Sequence, residues 1–340
     1  MKKKVKVGSI KMGAGENVSV QTMYDIPLSK LEDRFESRMN VLKAMGCDVI
    51  RFSYPDIKEH DMLCTVVEKT PMPVVADIHF DYKNAMDAMD CNVAKIRINP
   101  GNIGPRWKTE EIVKKALDKN IAIRIGLNSG SLPQHTTNKN MVELMVDTAL
   151  EYISWFENLG FYNTVVSLKA SDSNLSYQAA QAFASKSDYP MHLGVTEAGG
   201  VGSSCVKSTW TLGRLLSQGI GSTIRYSITG SIENEVQAGV ELLRTLGLRK
   251  GGIKIVSCTM CGRCSFNSQG FLKEVEHEIL ATGKDLCVAI MGCQVNGPGE
   301  AKGADIAVSG IGNKVYLYKN GLIYKQIDYA SAKDELLMAI

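Results

Sequence analysis

The sequence predicts a (β/α)8 barrel followed by a smaller α+β module, on three observations. From about residue 16 to Gly247, short β-branched runs alternate with helical stretches, the period of βα units and a parallel sheet. Eight such runs follow one another with no hairpin between them, and eight favours a closed barrel over an open doubly wound sheet. Past Gly251-Gly252 the pattern changes to mixed strands, helices and a hairpin. The 340 residues fit this division, since a barrel takes roughly 250 and a small module the rest. The expected domains are residues 1–247 and 252–340.

The barrel strands are expected at residues 18–23, 48–52, 73–78, 93–98, 121–125, 164–168, 191–195 and 222–227. Between them, Ser29-Lys-Leu-Glu32 reads as a capping box and Thr109-Glu-Glu as a helix start with acids in its first turn. Gly247 is placed to close the last helix. In the second module, residues 253–257, 286–291 and 305–309 read as strands and 269–282 as a helix. Residues 315–327 form a hairpin turning on Asn320-Gly321, and 330–340 an amphipathic closing helix.

Hydrophobic residues make up 44% of the chain, the formal net charge is +3, and no like-charge run exceeds Lys2-Lys3-Lys4. That balance argues against a dedicated nucleic-acid binder. No apolar signal region follows these lysines and no stretch is long enough to span a bilayer, so a cytoplasmic protein is expected. Nine cysteines, an odd number, read as the thiols of a reducing compartment. Five of them, Cys47, Cys64, Cys91, Cys205 and Cys287, are expected to be small buried apolar residues.

The other four stand together in pattern. Cys258-Thr-Met-Cys261-Gly-Arg-Cys264 is answered some thirty residues later by Met291-Gly-Cys293-Gln-Val-Asn-Gly-Pro-Gly-Glu300. This spacing suits thiolates wrapped round a cubane iron–sulfur cluster. Four thiolates also suit zinc, but a zinc ribbon pairs two C-x2-C knuckles and Cys293 stands alone. Asn296-Gly-Pro-Gly299 reads as a tight turn that returns Glu300 to the neighbourhood of Cys293, where its carboxylate competes with Cys264 as fourth ligand. The two sets differ chemically: four thiolates close the cluster, whereas a carboxylate leaves one iron with a displaceable ligand. A solvated glutamate in a glycine-rich loop is the plain alternative.

Polar residues gather at the C-terminal ends of the barrel strands, where barrel enzymes keep their active sites. Strand by strand these are Arg51, Asp77 and His79, Arg97, Arg124 and Asn128, Ser167 and Lys169, His192 with Thr196 and Glu197, and Arg225 with Ser227. A single arginine in this list is most simply a structural ion pair. Five cations against Asp77 and Glu197 leave an excess that a bound anion would neutralise. Arginine forks suit phosphate, so the substrate class is a small phosphorylated or diphosphorylated compound. Each histidine is most simply a hydrogen-bonded structural residue, and Glu197 in its glycine-rich loop is the better proton donor.

Six motifs carry a resemblance: Ala76-Asp-Ile-His-Phe80, Lys95-Ile-Arg-Ile-Asn-Pro-Gly-Asn102, Ile123-Arg-Ile-Gly-Leu-Asn128, Ser167-Leu-Lys-Ala-Ser-Asp172, His192-Leu-Gly-Val-Thr-Glu-Ala-Gly199 and Met291-Gly-Cys-Gln-Val-Asn-Gly-Pro-Gly-Glu-Ala301. In this order, over nearly the whole chain, the sequence resembles the 4-hydroxy-3-methylbut-2-en-1-yl diphosphate synthase family of the non-mevalonate isoprenoid pathway. The resemblance implies a TIM barrel followed by an iron–sulfur domain of ferredoxin- or sulfite-reductase-like type. It implies a [4Fe–4S] cluster held by Cys258, Cys261, Cys293 and Glu300. The implied substrate is 2-C-methyl-D-erythritol 2,4-cyclodiphosphate, opened and dehydroxylated with two electrons from flavodoxin or ferredoxin. Cys264, Thr259-Met260 and the run Gln21-Thr-Met-Tyr-Asp-Ile-Pro27 depart from the family pattern, and Cys264 keeps a four-cysteine site conceivable.

Chain length adds an expectation about assembly. A helix over residues 231–246 carries the chain about 24 Å away from the barrel mouth. The six residues 247–252 reach back roughly 20 Å at full extension. A closed homodimer, in which each cluster domain caps the partner's barrel, solves this distance, and the resemblance implies the same head-to-tail arrangement.

Overall fold

The structure, a computed structural model, describes residues 3–132, 140–293, 297–311 and 314–340. The chain divides into two compact units, Met1–Lys43 with Cys47–Arg249, and Lys250–Ile340 with Ala44–Gly46.

The first unit opens with an antiparallel hairpin, β1 (Lys4–Val7) and β2 (Ile10–Gly13), which the sequence reading did not anticipate. Lysines alternate with Val5, Val7 and Met12, and the three apolar side chains are buried against Val49, Val75, Ala122 and Val165 of the barrel strands. Those strands are β3 (Ser19–Met23), β4 (Val49–Ser53), β5 (Val74–Asp77), β6 (Lys95–Ile98), β7 (Ala122–Asn128), β8 (Thr164–Lys169), β9 (His192–Leu193) and β10 (Thr223–Ile224). All their pairings are parallel, in the order β8-β7-β6-β5-β4-β3-β10-β9. A bridge between Val166 and Met191 returns the last strand to the first, so the expected (β/α)8 barrel is formed. β9 and β10 are shorter than expected. Pro190 has no N–H for the ladder, and a Cβ on Gly194 would stand 2.8 Å from the Arg225 carbonyl oxygen, so the two chains pinch together here.

The helices of this unit are α1 (Phe35–Met45), α2 (His60–Lys69), α3 (Tyr82–Asp90), α4 (Pro100–Ile103), α5 (Arg106–Asp118), α6 (Met141–Asn158), α7 (Ser173–Ala184), α8 (Val201–Leu216) and α9 (Ile232–Thr245). Two expected helix starts are corrected. Ser29 lies in a 3-10 turn, Leu28–Lys30, set up by Pro27, and α1 begins only at Phe35. Thr109 is buried inside α5, which starts three residues earlier behind Pro105. The capping box belongs instead to α6, where the Asn140 side chain accepts from the Glu143 N–H and Glu143 accepts from the Asn140 N–H. Gly247 follows α9 with φ +68°, the left-handed conformation expected of it.

One close approach matters for the site. A Cβ on Gly239 would stand 2.9 Å from Val20, so α9 lies tight on β3 and carries Glu235, one turn earlier, over the barrel strands. The five scattered cysteines are not alike. Cys47 is buried as expected, but Cys205 and Cys287 are half-buried, and Cys64 and Cys91 form a disulfide that no local sequence signal revealed.

The second unit is a five-stranded mixed sheet. β11 (Lys254–Ser257), β12 (Cys287–Met291) and β13 (Ile306–Ile311) run parallel, and β14 (Lys314–Lys319) and β15 (Leu322–Ile327) complete it antiparallel. Helix α10 (Ser268–Ala281) joins β11 to β12, α11 (Gly297–Lys302) joins β12 to β13, and α12 (Ala332–Ala339) ends the chain. The hairpin turn is as expected, with Asn320 at φ 50° and Gly321 at φ 78°, the left-handed pair of a type I′ turn. The expected tight turn at 296–299 is corrected: Asn296 lies outside the described residues, and Gly297 opens α11, where a proline in the first turn is tolerated. No described helix is long and apolar enough to cross a membrane.

Candidate active site

Alternation along the strands decides what lines the barrel. Val49, Val75, Ala122 and Val165 pack together on the N-terminal hairpin. Residues two further along each strand share their face, so Arg51, Asp77, Arg124 and Ser167 form the next layer toward the strands' C-terminal ends. The registers pair Asp77 with Arg97, Arg97 with Arg124, and Asn128 with Lys169 across neighbouring strands. Parallel pairing thus converts an unremarkable alternation in sequence into one basic funnel.

Asp77 is its hub. Arg97 Nη1 donates to Oδ1 at 3.3 Å, while Arg51 Nε at 3.8 Å and His79 Nε2 at 3.3 Å approach Oδ2. Burial alone would raise this carboxyl, but Arg51, the His79 hydrogen bond, Arg97 and Arg124 hold it well below the usual carboxylate range. Arg225 donates from Nε and Nη2 to Glu235 at 3.0 and 2.9 Å, and Glu235 also accepts from Thr22 Oγ1 and the Ile228 N–H. Lys169 Nζ lies 3.0 Å from His192 Nε2. Burial, then Lys169 and Arg124, push His192 well down, which favours a neutral ring beside Lys169.

Arg124 differs from the others. It is 2% exposed, and its Nε and Nη1 have no hydrogen-bond partner. Burial, then Arg51 and Arg97, act against its charge, and Asp77 offsets them only in part. A guanidinium does not shed its proton under such pressure, so the cost stands as an unmet demand for an anion. Arg51 is pushed down to about 10 by burial, with Asp77 opposing, and Lys169 falls well below its ordinary value for the same first reason.

Of the remaining expected residues, Ser167 belongs to the inner layer and the others occupy the rim. Asn128 ends β7, and its carbonyl accepts from Ser131 Oγ at 2.8 Å. Ser167 is buried in β8, and the half-buried Ser227 accepts from Ser204 Oγ through its carbonyl at 3.0 Å. Thr196 donates its N–H to the Ala170 carbonyl at 3.0 Å, and Glu197 beside it is exposed with φ 52°. A non-glycine residue held left-handed between two anchored segments is a strained loop position of the kind active sites retain. Two charged members escaped the sequence reading. Lys95, fully buried in β6, shares the inner face with Arg97, and the alternation Lys-Ile-Arg-Ile could have shown it. Glu235 lies on a helix rather than a strand end, and only the tertiary fold brings it to Arg225.

The cysteine pattern is built by the second sheet. β11 and β12 are parallel neighbours, and the Cys258 N–H donates to the Ile290 carbonyl, so Cys258 and Cys293 leave the same end of the sheet. The N–H groups of Ser265 and Phe266 both reach the Gly292 carbonyl, folding the first cysteine loop over the second. A Cβ on Gly292 would stand 2.6 Å from Cys264 Sγ, and Cys264 Sγ lies 3.9 Å from Cys258 Sγ. The Met260 N–H lowers the Cys258 thiol and the Arg263 N–H lowers Cys261, favouring the thiolates that a metal cluster needs. Glu300 is exposed in the first turn of α11. The donor set fits a thiolate-bound cluster: a half-buried thiol, an exposed one and a buried one on two loops that cross at Gly292.

The barrel region matches the family model described as the GcpE TIM-barrel domain over residues 2–240, and the GcpE protein C-terminal domain matches residues 254–340. The chain belongs to the GcpE family. Among its relatives, a Treponema denticola protein named 4-hydroxy-3-methylbut-2-en-1-yl diphosphate synthase (flavodoxin) is 42% identical, with 98% of this chain and 92% of that one covered. A Geobacter sulfurreducens protein of the same name is 40% identical, covering 99% of this chain and 96% of its own length. The family and the enzyme class read from the sequence, an oxidoreductase, therefore stand. Solved structures of dihydropteroate synthase share the GcpE barrel fold alone. The Xanthomonas albilineans enzyme has a TM-score of 0.54 at 12% identity, covering 73% of this chain and 98% of that one. The Thermus thermophilus enzyme has the same TM-score at 13% identity, covering 72% and 97%.

Proposed function

We propose that this GcpE-family chain reduces 2-C-methyl-D-erythritol 2,4-cyclodiphosphate to 4-hydroxy-3-methylbut-2-enyl diphosphate. Two electrons and two protons enter, the ring opens, and one hydroxyl leaves as water. The observation that carries the substrate class is Arg124, a buried guanidinium with two unpartnered nitrogens among further basic side chains. A diphosphate supplies the acceptors that this funnel lacks, and the relatives are named for a diphosphate product.

The residues divide the work. Arg124 offers its free fork to the diphosphate, and Asp77 holds Arg51 and Arg97 in place to complete the clamp. Lys169, beside His192, brings a further donor, Ser167 supplies a neutral contact from the inner layer, and Asn128, Thr196 and Ser227 supply others at the rim. Glu197, on its strained loop, delivers a proton to the departing hydroxyl. A [4Fe–4S] cluster, with Cys258, Cys261, Cys293 and Glu300 as its ligands, supplies the electrons one at a time and a Lewis-acidic iron. The electron donor is a flavodoxin, on the strength of the relatives' names, or a ferredoxin in its place. The working unit is a homodimer whose site joins one chain's barrel to the partner's cluster domain. Its support is the short connection between α9 and β11, set against the length of α9.

The test of the substrate reading is calorimetric titration of the cyclodiphosphate into the anaerobically prepared protein and into Arg124→Ala. Binding by the parent and a tenfold to hundredfold loss in the variant, about what a charge-assisted contact is worth, is the expected result. Equal affinity in both would return Arg124 to a structural role.

A further inference from the structure

The funnel and the cysteine loops leave one cluster of ligand-type side chains unused. His60 and Cys64 are one turn apart at the start of α2, so they share a face of that helix. Cys91 follows α3 directly, and Asp87 lies one turn before it. Among the described residues, His60, Cys64 and Cys91 are the one group of three metal-type ligands whose donor atoms all lie within 4.8 Å of one another. The ring is aimed. His60 Nδ1 meets Asp87 Oδ2 at 2.9 Å, and Asp87 is held in turn by the Tyr54 hydroxyl. The other nitrogen, Nε2, lies 3.4 Å from Cys64 Sγ, and Cys91 Sγ stands beside the ring, 3.9 Å from Nε2 and 3.7 Å from Nδ1.

We propose that, when Cys64 and Cys91 are reduced, these residues bind one zinc-class cation through His60 Nε2 and the two thiolates. Zinc bonds of about 2.3 Å to sulfur and 2.0–2.1 Å to nitrogen set tetrahedral edges of about 3.6 Å for N···S and about 3.8 Å for S···S. The Cys64 edge is already close to that length, and reduction need only part the sulfurs and let Cys91 Sγ swing from beside the ring toward Nε2. Asp87 plays the outer-shell role that metal-bound histidines usually have, fixing the tautomer that presents Nε2. A carboxylate buttress and a ring nitrogen set against Cys64 Sγ are unneeded by a disulfide that only staples two helices. The half-exposed His60 and Cys64 leave water access for a fourth ligand.

The disulfide in the structure is the oxidised form of the same site. A dithiol, which becomes a disulfide, or a phosphine with one water, which becomes a phosphine oxide, supplies two electrons and two protons; the S–S bond breaks, and two thiols result. The cation then displaces both thiol protons to solvent. In reverse, a small-molecule disulfide takes two electrons from the thiolates and is itself reduced to two thiols; the S–S bond re-forms and the cation leaves hydrated.

The experiment uses the cluster-loaded enzyme, so that the other cysteines are occupied. It is reduced with a phosphine, desalted anaerobically, incubated with zinc chloride and passed through a gel-filtration column before elemental analysis. The parent is expected to retain about one zinc per chain, lost in Cys64→Ser and Cys91→Ser and held about tenfold to hundredfold more weakly in Asp87→Asn, with iron content and turnover unchanged. Zinc content equal in the parent and in Cys64→Ser, or none in the reduced parent, would overturn the proposal. A second readout needs no variant: zinc should slow alkylation of Cys64 and Cys91, mapped by mass spectrometry, and equal rates with and without zinc would also overturn it.

Discussion

Arg225 closes both arms of its guanidinium on Glu235, whereas Arg124, in the same basic funnel, keeps two nitrogens without a partner. The two arginines look interchangeable in sequence and are not. Arg225→Ala would strand Glu235, 2% exposed, without its counter-charge, and breaking a buried pair from one side costs about 3–5 kcal/mol. Arg124→Ala removes self-repulsion and leaves no buried group newly unpaired. Thermal melts without substrate should therefore show Arg225→Ala strongly destabilised and Arg124→Ala at or above the parent. Equal destabilisation of the two would remove the distinction.

The funnel also sets a pH dependence. Burial and neighbouring cations hold both His192 and Lys169 well below their ordinary values. For a base depressed on folding, the unfolded chain binds more protons, so stability rises with pH. The His192 contribution is lost as pH falls below about 6.5, and that of Lys169 over the range below about 10.4. The melting temperature should rise from about pH 5.5 to about pH 8.5, and pyrophosphate should flatten the slope by favouring the charged forms. His192→Gln should flatten its acid end. A melting temperature that falls with pH, with or without the anion, would contradict this electrostatic picture.

The proposed cluster ligands separate by a similar comparison. Cys264 Sγ lies against Cys258 and Gly292, so Cys264→Ser fills nearly the same space and should keep iron and sulfide near the parent's content. Glu300→Ala should leave three-thiolate ligation and a labile cluster. Gly292→Ala drives a methyl into Cys264 and should lose the cluster altogether. Iron and sulfide analysis after anaerobic gel filtration decides it, and the reverse order for Cys264 and Glu300 would make this a closed four-cysteine site.

Much of this was legible because barrel strands announce themselves by composition. The run Val74–Asp77 is apolar until its last residue, and that residue is the hub of the funnel. Lys95 was overlooked because a lysine inside an apolar strand reads as an interruption, although its two-residue spacing from Arg97 put both on one face. The hairpin of β1 and β2 hid behind alternating lysines, each strand only four residues long. Ser29-Lys-Leu-Glu32 misled because Pro27 commits the chain to a 3-10 turn before any helix can start there. Cys64 and Cys91, twenty-seven residues apart, meet only because α2 and α3 pack side by side, which no local pattern encodes.

The proposed sharing of the site between two chains makes a complementation prediction. At a substrate concentration well below the weakened affinity of Arg124→Ala, that variant and Glu300→Ala should each show little activity alone. Mixed equally under conditions of subunit exchange, half the dimers carry one chain of each kind, and each of these has one intact barrel facing one intact cluster domain. About a quarter of the parent's activity should return. A mixture that stays inactive, with exchange shown by differently tagged chains, would place the site within one chain.

The most direct measurement is phosphorus NMR of 2-C-methyl-D-erythritol 2,4-cyclodiphosphate incubated anaerobically with the cluster-loaded protein and reduced flavodoxin. The expected result is replacement of the two ring-phosphate resonances by the inner and terminal phosphates of an open diphosphate, dependent on the reductant. A brown protein, with iron and sulfide in equal amounts, that leaves the ring resonances unchanged would contradict the reductive ring opening proposed for this chain.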